Sequence, residues 1–217
     1  MMMMTGKALG EARWVMVPVG FLAAGALLLG WQWVAIFFAV LFVAIALFFR
    51  DPQRDIPADE CCIVSPADGT VDLIEECQHI DELYGPGKKV SIFLSVFDVH
   101  INRVPYDGVI RAVVHRKGSF LDARLPESSI KNENQIWVID TKYGAVGVRQ
   151  IACLIARRIV GWCEIGQVVK KGDKLGLIRF GSRTEIYLPH QATIEVKAGQ
   201  KVRGGSTVVA RWPEKRS

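Results

Sequence analysis

Hydrophobic and polar positions are arranged in two different ways along this chain. From Trp14 to Gly30, and again from Trp33 to Phe49, no charged residue interrupts the apolar run, and only Trp31-Gln32 stands between the two. Each run reaches the lower limit, about 17 residues, for a helix that crosses a hydrocarbon core. Two arrangements fit: a tight hairpin of two short helices, which is the favoured one, or a single long apolar stretch kinked near Gly30. Beyond Arg50 the pattern changes to short apolar stretches broken by Gly, Asp and Pro. Val90 to Val96, Gln135 to Asp140 and Ala145 to Val148 read as strands. Gln150 to Val160 suits a strand or a short helix, and its β-branched content favours the strand. Asp122 to Asn134 is polar, lacks a regular apolar period and predicts a loop with room for one helical turn. The chain therefore divides into an N-terminal membrane anchor, residues 1–50, and a single compact β-rich domain, residues 51–217, long enough for a core of its own.

A weak internal repeat refines the fold. Gly166-Gln167-Val168-Val169-Lys170-Lys171-Gly172 recurs as Gly199-Gln200-Lys201-Val202-Arg203-Gly204-Gly205, and each copy leads into an apolar run. Two such units flanking a hairpin resemble the hammerhead pattern of biotinyl and lipoyl carrier domains. Ser65-Pro66-Ala67-Asp68-Gly69-Thr70-Val71 resembles the same kind of strand start. The expected fold class is mainly β, with a hammerhead-like repeat preceded by a hydrophobic helical hairpin.

Composition changes this picture only locally. Half the residues are hydrophobic, but the excess lies in the first fifty. Lys7 and Arg13 precede the first apolar run, and Arg50 and Arg54 follow the second, so the positive-inside rule places both ends, and with them the β domain, on the cytoplasmic side of the cell (inner) membrane. The apolar segment is too long for a signal peptide and lacks its small-residue cleavage site. Five cysteines, Cys61, Cys62, Cys77, Cys153 and Cys163, form no CxxC pair and are odd in number, which suits reduced packing residues and predicts no metal site. The net charge is +5, with basic pairs at Lys88-Lys89, Arg157-Arg158, Lys170-Lys171 and Lys215-Arg216. On an anchored protein such charge suits an anionic lipid surface. No helix-turn-helix, finger or aromatic RNA-binding pattern accompanies it, so no nucleic-acid partner is expected.

The candidate chemistry lies in a Gly-Ser pair. A serine hydroxyl can attack the carbonyl of the residue before it and turn the amide into an ester, and a preceding glycine leaves the approach open. Elimination from that ester gives dehydroalanine, which hydrolyses to an N-terminal pyruvoyl ketone. Most Gly-Ser pairs are simply turns, and the chain has three: Gly118-Ser119, Gly181-Ser182 and Gly205-Ser206. The repeat chooses among them. Gly205-Ser206 falls at the turn of the second copy and matches Gly172-Asp173 in the first. Gly181-Ser182 falls between the copies, where carrier domains place their modified hairpin. The run Arg179-Phe180-Gly181-Ser182-Arg183 holds no lysine to carry biotin or lipoate, which argues against a carrier.

Five segments, in order, resemble the short (type A, prokaryotic) pyruvoyl-dependent phosphatidylserine decarboxylases. They are Phe48-Phe49-Arg50-Asp51-Pro52, Ser65 to Gly69, Ser95-Val96-Phe97-Asp98-Val99-His100-Ile101-Asn102-Arg103-Val104-Pro105, Ile155 to Val160, and Arg179 to Arg183. The resemblance implies cleavage between Gly181 and Ser182, giving a heterodimer of a β chain, residues 1–181, and an α chain, residues 182–217. The α chain would begin with a covalent pyruvoyl group made from Ser182. That ketone would form a Schiff base with the amine of phosphatidylserine, accept the electron pair left by CO2 and release phosphatidylethanolamine, so that no soluble cofactor is needed. It further implies a self-processing set of Asp68, His100 and Ser182. Longer members carry a second histidine where this chain has Arg103. Either His100 then does both jobs, which is the favoured reading, or His115 supplies the second base. Arg157, Arg158 and Arg183 offer guanidinium forks for the lipid phosphate, although a solvated basic face accounts for them equally well. Ser129 to Glu133 also resembles the short class, whereas Pro126 and Glu127 depart from it. His79 and His190 match nothing. Rival readings are an archaetidylserine decarboxylase with the same chemistry and a non-enzymatic membrane-anchored carrier or adaptor. A homo-oligomer is compatible with all of them.

Overall fold

A computed structural model describes residues 6–80, 85–122, 125, 127–153, 159–178 and 182–213. The chain forms two compact units that divide between Gln53 and Arg54.

The first unit is a helical hairpin of α1 (Gly6–Leu28) and α2 (Gln32–Phe48). Helix α1 starts well ahead of the first apolar run and takes in Lys7, Glu11 and Arg13, because lysine, glutamate and arginine are strong helix formers and extend a helix already under way. It ends in a Schellman turn. Gly30 adopts φ +76°, the Trp31 N–H donates to the Ala26 carbonyl (2.9 Å) and the Gly30 N–H to Leu27 (3.1 Å). That turn decides between the two arrangements in favour of the hairpin. Gly20 of α1 lies against the Phe42 ring of α2, which a Cβ at position 20 would meet at 3.6 Å. Helix α1 is long and apolar enough to cross a membrane, whereas α2, at 17 residues, is shorter.

The second unit is mainly β. Its strands are β1 (Cys62–Val64), β2 (Gly69–Ile80), β3 (Gly85–Leu94), β4 (Ile101–Arg103), β5 (Gly108–Arg116), β6 (Asn134–Thr141), β7 (Gly144–Ala152), β8 (Ile159–Gly161), β9 (Val168–Val169), β10 (Lys174–Ile178), β11 (Ser182–Pro189), β12 (Thr193–Ile194), β13 (Lys201–Val202) and β14 (Val208–Arg211). A single helical turn, α3 (Ser128–Lys131), interrupts the expected loop before β6. The stretch from Gln150 to Val160 is strand at both ends, in β7 and β8, and residues 154–158 lie outside the described ones.

The strand order shows that the repeat is the visible part of a duplication. An antiparallel eight-stranded sheet runs β13-β2-β3-β11-β7-β6-β5-β9, and two small sheets run β1-β14-β12 and β4-β10-β8. Exchanging β1–β3 for β4–β6, and β11–β14 for β7–β10, maps each sheet order onto itself or onto its partner. The turns before β2 and β5, Pro66-Ala67-Asp68-Gly69 and Pro105-Tyr106-Asp107-Gly108, are equivalent. A Cβ on Gly69 would stand 2.2 Å from the Phe93 carbonyl oxygen, and one on Gly108 2.3 Å from that of Asp140. All four outer glycines of the repeat take left-handed φ: Gly166 (84°), Gly172 (89°), Gly199 (84°) and Gly205 (79°). Gly172 donates its N–H to Val104, and Gly205 donates to Ser65, both at 2.8 Å. The equivalence of Gly205-Ser206 with Gly172-Asp173 thus holds in three dimensions.

One half is inserted into the other. Thr141 pairs with Gly144 across the tight turn that joins β6 to β7. Leu94 pairs with Ser182 in the same way, but residues 95–181, the whole second half, lie between them in sequence. Strand β11 returns to the centre of the sheet, pinned by β3 on one side and β7 on the other. Its alternate residues Ile186 and Leu188 enter the main core with Val71, Val90, Ile92 and Val209.

Candidate active site

Ser182 is the first residue of β11, fully buried, with Leu94 and Ala152 as its two cross-strand neighbours. Its hydroxyl has no hydrogen-bond partner among the described residues. A buried hydroxyl left unpaired is costly, about 1–3 kcal/mol, and Ser91 Oγ on β3 is another such group among the described residues. The preceding Gly181, with Arg179 and Phe180, lies outside the described residues, as do Arg157 and Arg158.

Thr184 lies on the same face of β11, two residues on, and anchors a buried amide network. The Asn102 side-chain amide donates to Thr184 Oγ1 (3.0 Å) and to the Pro66 carbonyl (3.2 Å), while its oxygen accepts from Gln150 Nε2. Asn102, Thr184 and Gln150 are all fully buried. This network joins the three segments that carry the expected self-processing residues: Pro66 two positions before Asp68, Asn102 two after His100, and Thr184 two after Ser182.

His100 is buried, with Nδ1 3.0 Å from the Asp98 carbonyl oxygen. A carbonyl only accepts, so Nδ1 carries the hydrogen, and in the neutral ring Nε2 is the basic nitrogen. The His100 carbonyl accepts from Ile178 (3.3 Å), the last residue of β10. Arg103 donates to the Gly172 carbonyl (2.9 Å), a structural tie at the turn of the repeat.

Asp68 occupies the duplicated turn. One of its oxygens accepts the Gly204 N–H (2.8 Å), as Asp107 accepts the Lys171 N–H (2.6 Å) in the other half. What distinguishes Asp68 is Arg54, whose Nη2 lies 2.9 Å from both carboxylate oxygens. The turn role foreseeable from the sequence is therefore real, and a partly buried ion pair is added to it.

The other face of β11 is polar as well. Arg183 is buried and pairs with Asp72 (2.6 Å) and with Ser129 Oγ (3.1 Å). Ser129 donates to Glu185 (2.8 Å), whose second oxygen accepts from the Tyr187 hydroxyl (2.6 Å). Burial pushes the Tyr187 phenol far up, so it stays a donor. Arg183 is thus buried and taken up by the partly exposed Asp72 carboxylate, and does not form a solvated basic face. Asn132 bonds the Leu121 and Ala152 carbonyls (both 2.9 Å) and holds the α3 loop against the end of β7. Beside it, burial raises the Cys153 thiol to about 11, leaving it neutral and a poor rival nucleophile.

His115 lies elsewhere. It is on β5, 43% exposed, with Nε2 3.6 Å from Glu133. Its ladder runs through Gln135 and Gln150 to Thr184, three strand spacings or about 14 Å from β11. The structure brings the Asp68, His100 and Ser182 segments together and leaves His115 apart. Sequence reasoning missed Asn102, Gln150, Thr184 and Arg54. Asn102 carried a signal, since it sits two positions after His100 beside a strand.

Comparison with known proteins identifies the family. The profile of the family described as phosphatidylserine decarboxylase matches residues 41–210. The phosphatidylserine decarboxylase proenzyme of Carboxydothermus hydrogenoformans is 46% identical over 204 residues, covering 93% of this chain and 94% of its own. The chain belongs to the phosphatidylserine decarboxylase family. The matched span includes both halves of the duplication, and the members of the family are carboxy-lyases.

Proposed function

We propose that this chain cuts itself between Gly181 and Ser182 and then decarboxylates phosphatidylserine to phosphatidylethanolamine. The observation that carries the reading is the Ser182 hydroxyl, buried, without a partner among the described residues and first on a strand clamped on both sides, in a chain of this family. Ser182 Oγ attacks the Gly181 carbonyl carbon, the C–N bond breaks as the C–O bond forms, and the serine proton moves to the freed amine. His100 Nε2 is the base that takes this proton, and Asp68, held by Arg54 and the Gly204 N–H, sets the charge around it. Loss of the Ser182 Cα proton then expels the Gly181 carboxylate from Cβ. Water adds to the resulting dehydroalanine and ammonia leaves, so the α chain starts with a ketone at position 182.

The residues around position 182 fit such a group: the fully buried end of β11 is held by Leu94 and Ala152 whether or not the chain before it is cut. When formed, the pyruvoyl ketone supplies the electron sink that no side chain offers. The protein's share is to exclude water from that strand end and to return a proton to the substrate carbon, which we assign to His100. Arg183, already paired with Asp72, locks the α chain to the β chain. Arg157 and Arg158 remain the proposed contacts for the lipid phosphate. The apolar hairpin keeps the enzyme at the membrane that holds its substrate, with the β unit on the cytoplasmic side. No observation favours the archaetidylserine head group, and the relative's name carries phosphatidylserine.

Intact mass spectrometry of the denatured protein tests the scission. Fragments breaking after Gly181, with a pyruvoyl-blocked small chain absent only from Ser182→Ala and retained in Ser206→Ala, support the reading. A single uncut chain in folded wild type refutes it.

A further inference from the structure

Polarity is inverted at the tips of two loops beside Ser182. Between β3 and β4 the turn at 95–98 is closed by the Asp98 carboxylate on the Ser95 N–H (2.8 Å) and by the Asp98 N–H on the Ser95 carbonyl (3.0 Å). Asp98 is half-buried, while Val96 is 46% and Phe97 82% exposed. In α3, Ser129 is buried against Glu185 and Arg183, Asn132 is buried against Ala152, and Ile130 between them is 82% exposed. Leu125, just ahead, is 49% exposed. Ile130 is held outward by buried polar bonds, and Val96 and Phe97 by a half-buried turn, the reverse of what a solvated loop requires.

Both loops lie at one end of the large sheet. Leu94 at the end of β3 pairs with Ser182, and the Ala152 N–H, one strand over, donates to Glu133 just after α3 (2.9 Å). At the opposite end, near the turns at 142–143 and 190–192, the exposed apolar side chains are two valines at the sheet edge, Val109 (41%) and Val168 (74%), with no aromatic ring among them. Arg116 and Lys117, at the end of β5, add positive charge on the Ser182 side. We propose that Phe97 and Ile130, with Val96 and Leu125, form a rim that inserts into an anionic lipid bilayer and sets the mouth of the Ser182 site against the head groups. The inference rests on the reading above, which names the lipid. A diacyl lipid keeps its chains in the bilayer, so a buried reacting atom at position 182 requires the surrounding loops to enter the interface.

Two measurements on the full chain in phosphatidylserine-containing vesicles test it. In the first, Phe97→Trp and Val168→Trp variants are quenched with brominated lipids, after subtraction of the wild-type tryptophan signal. Quenching at position 97 and none at position 168, which is exposed on β9, is expected; equal quenching, or none at 97, overturns the rim. In the second, Phe97→Asp/Ile130→Asp is compared with wild type on bilayer phosphatidylserine and on a water-soluble short-chain phosphatidylserine. About a tenfold loss on the bilayer substrate only is expected, with scission unchanged. Equal losses on both, or no loss on the bilayer, overturn the proposal. A wild type that neither cuts itself nor releases CO2 from either substrate sinks the enzymatic reading instead, and the quenching result still decides the lipid contact.

Discussion

Replacing Asn102 with alanine separates the network from the serine it serves. Asn102 is fully buried and makes three hydrogen bonds, to Thr184, Pro66 and Gln150. Each is worth about 1 kcal/mol net, and the stranded Gln150 amide and Thr184 hydroxyl add to the loss, so Asn102→Ala should cost about 3–4 kcal/mol. For a unit of this size that is a fall of roughly 6–16 °C in thermal midpoint. The kinetic effect should be larger in proportion. Displacing a reacting group by about 1 Å can cost on the order of a hundredfold, and Asn102 and Thr184 each stand two residues from a reacting residue. The assay follows the uncut chain by denaturing gel after synthesis, with the midpoint measured on the same preparation. Thr184→Val should cost about 1 kcal/mol alone and couple to Asn102→Ala by about 1 kcal/mol in a double-mutant cycle. An Asn102→Ala protein that cuts itself at the wild-type rate and melts within a degree of it would refute the reasoning.

Asp68→Asn should abolish scission, whereas Asp107→Asn, the same turn in the other half, should leave scission intact and cost about 1 kcal/mol; mass spectrometry and melting distinguish the two. His115→Ala should change neither the scission half-time nor CO2 release by more than about twofold, because the residue stands about 14 Å from the strand of Ser182. Arg183→Met should strand Asp72 and Ser129 and destabilise by about 2–3 kcal/mol, less than a wholly buried pair because Asp72 retains some exposure, read as a lower denaturant midpoint. Cys153 carries a raised thiol pKa, so the neutral form belongs to the folded state. Its contribution to stability should be complete below pH 9 and decline as pH rises towards about 11, and Cys153→Ser should flatten that part of the profile.

The sequence by itself determined whatever depends on local pattern. Uninterrupted apolar runs make helices wherever they lie, and Gly30 between them made a turn. Short β-branched stretches made strands, and the glycines of the two GQxVxxG copies took the left-handed angles that only such residues adopt cheaply. The repeat also directed attention to Ser182 by accounting for Ser206. Only the tertiary structure decided what depends on pairing across long separations. No local signal announces that Leu94 pairs with Ser182, because the two are joined by an entire inserted half. The same pairing turned Asn102, Gln150 and Thr184 from unremarked polar residues into a buried network. It placed Arg183 against Asp72, and it carried His115 to a strand well away from the serine. Propensity acts between neighbours in sequence, whereas an unpaired hydroxyl and the groups that surround it are set by which strands the sheet brings side by side.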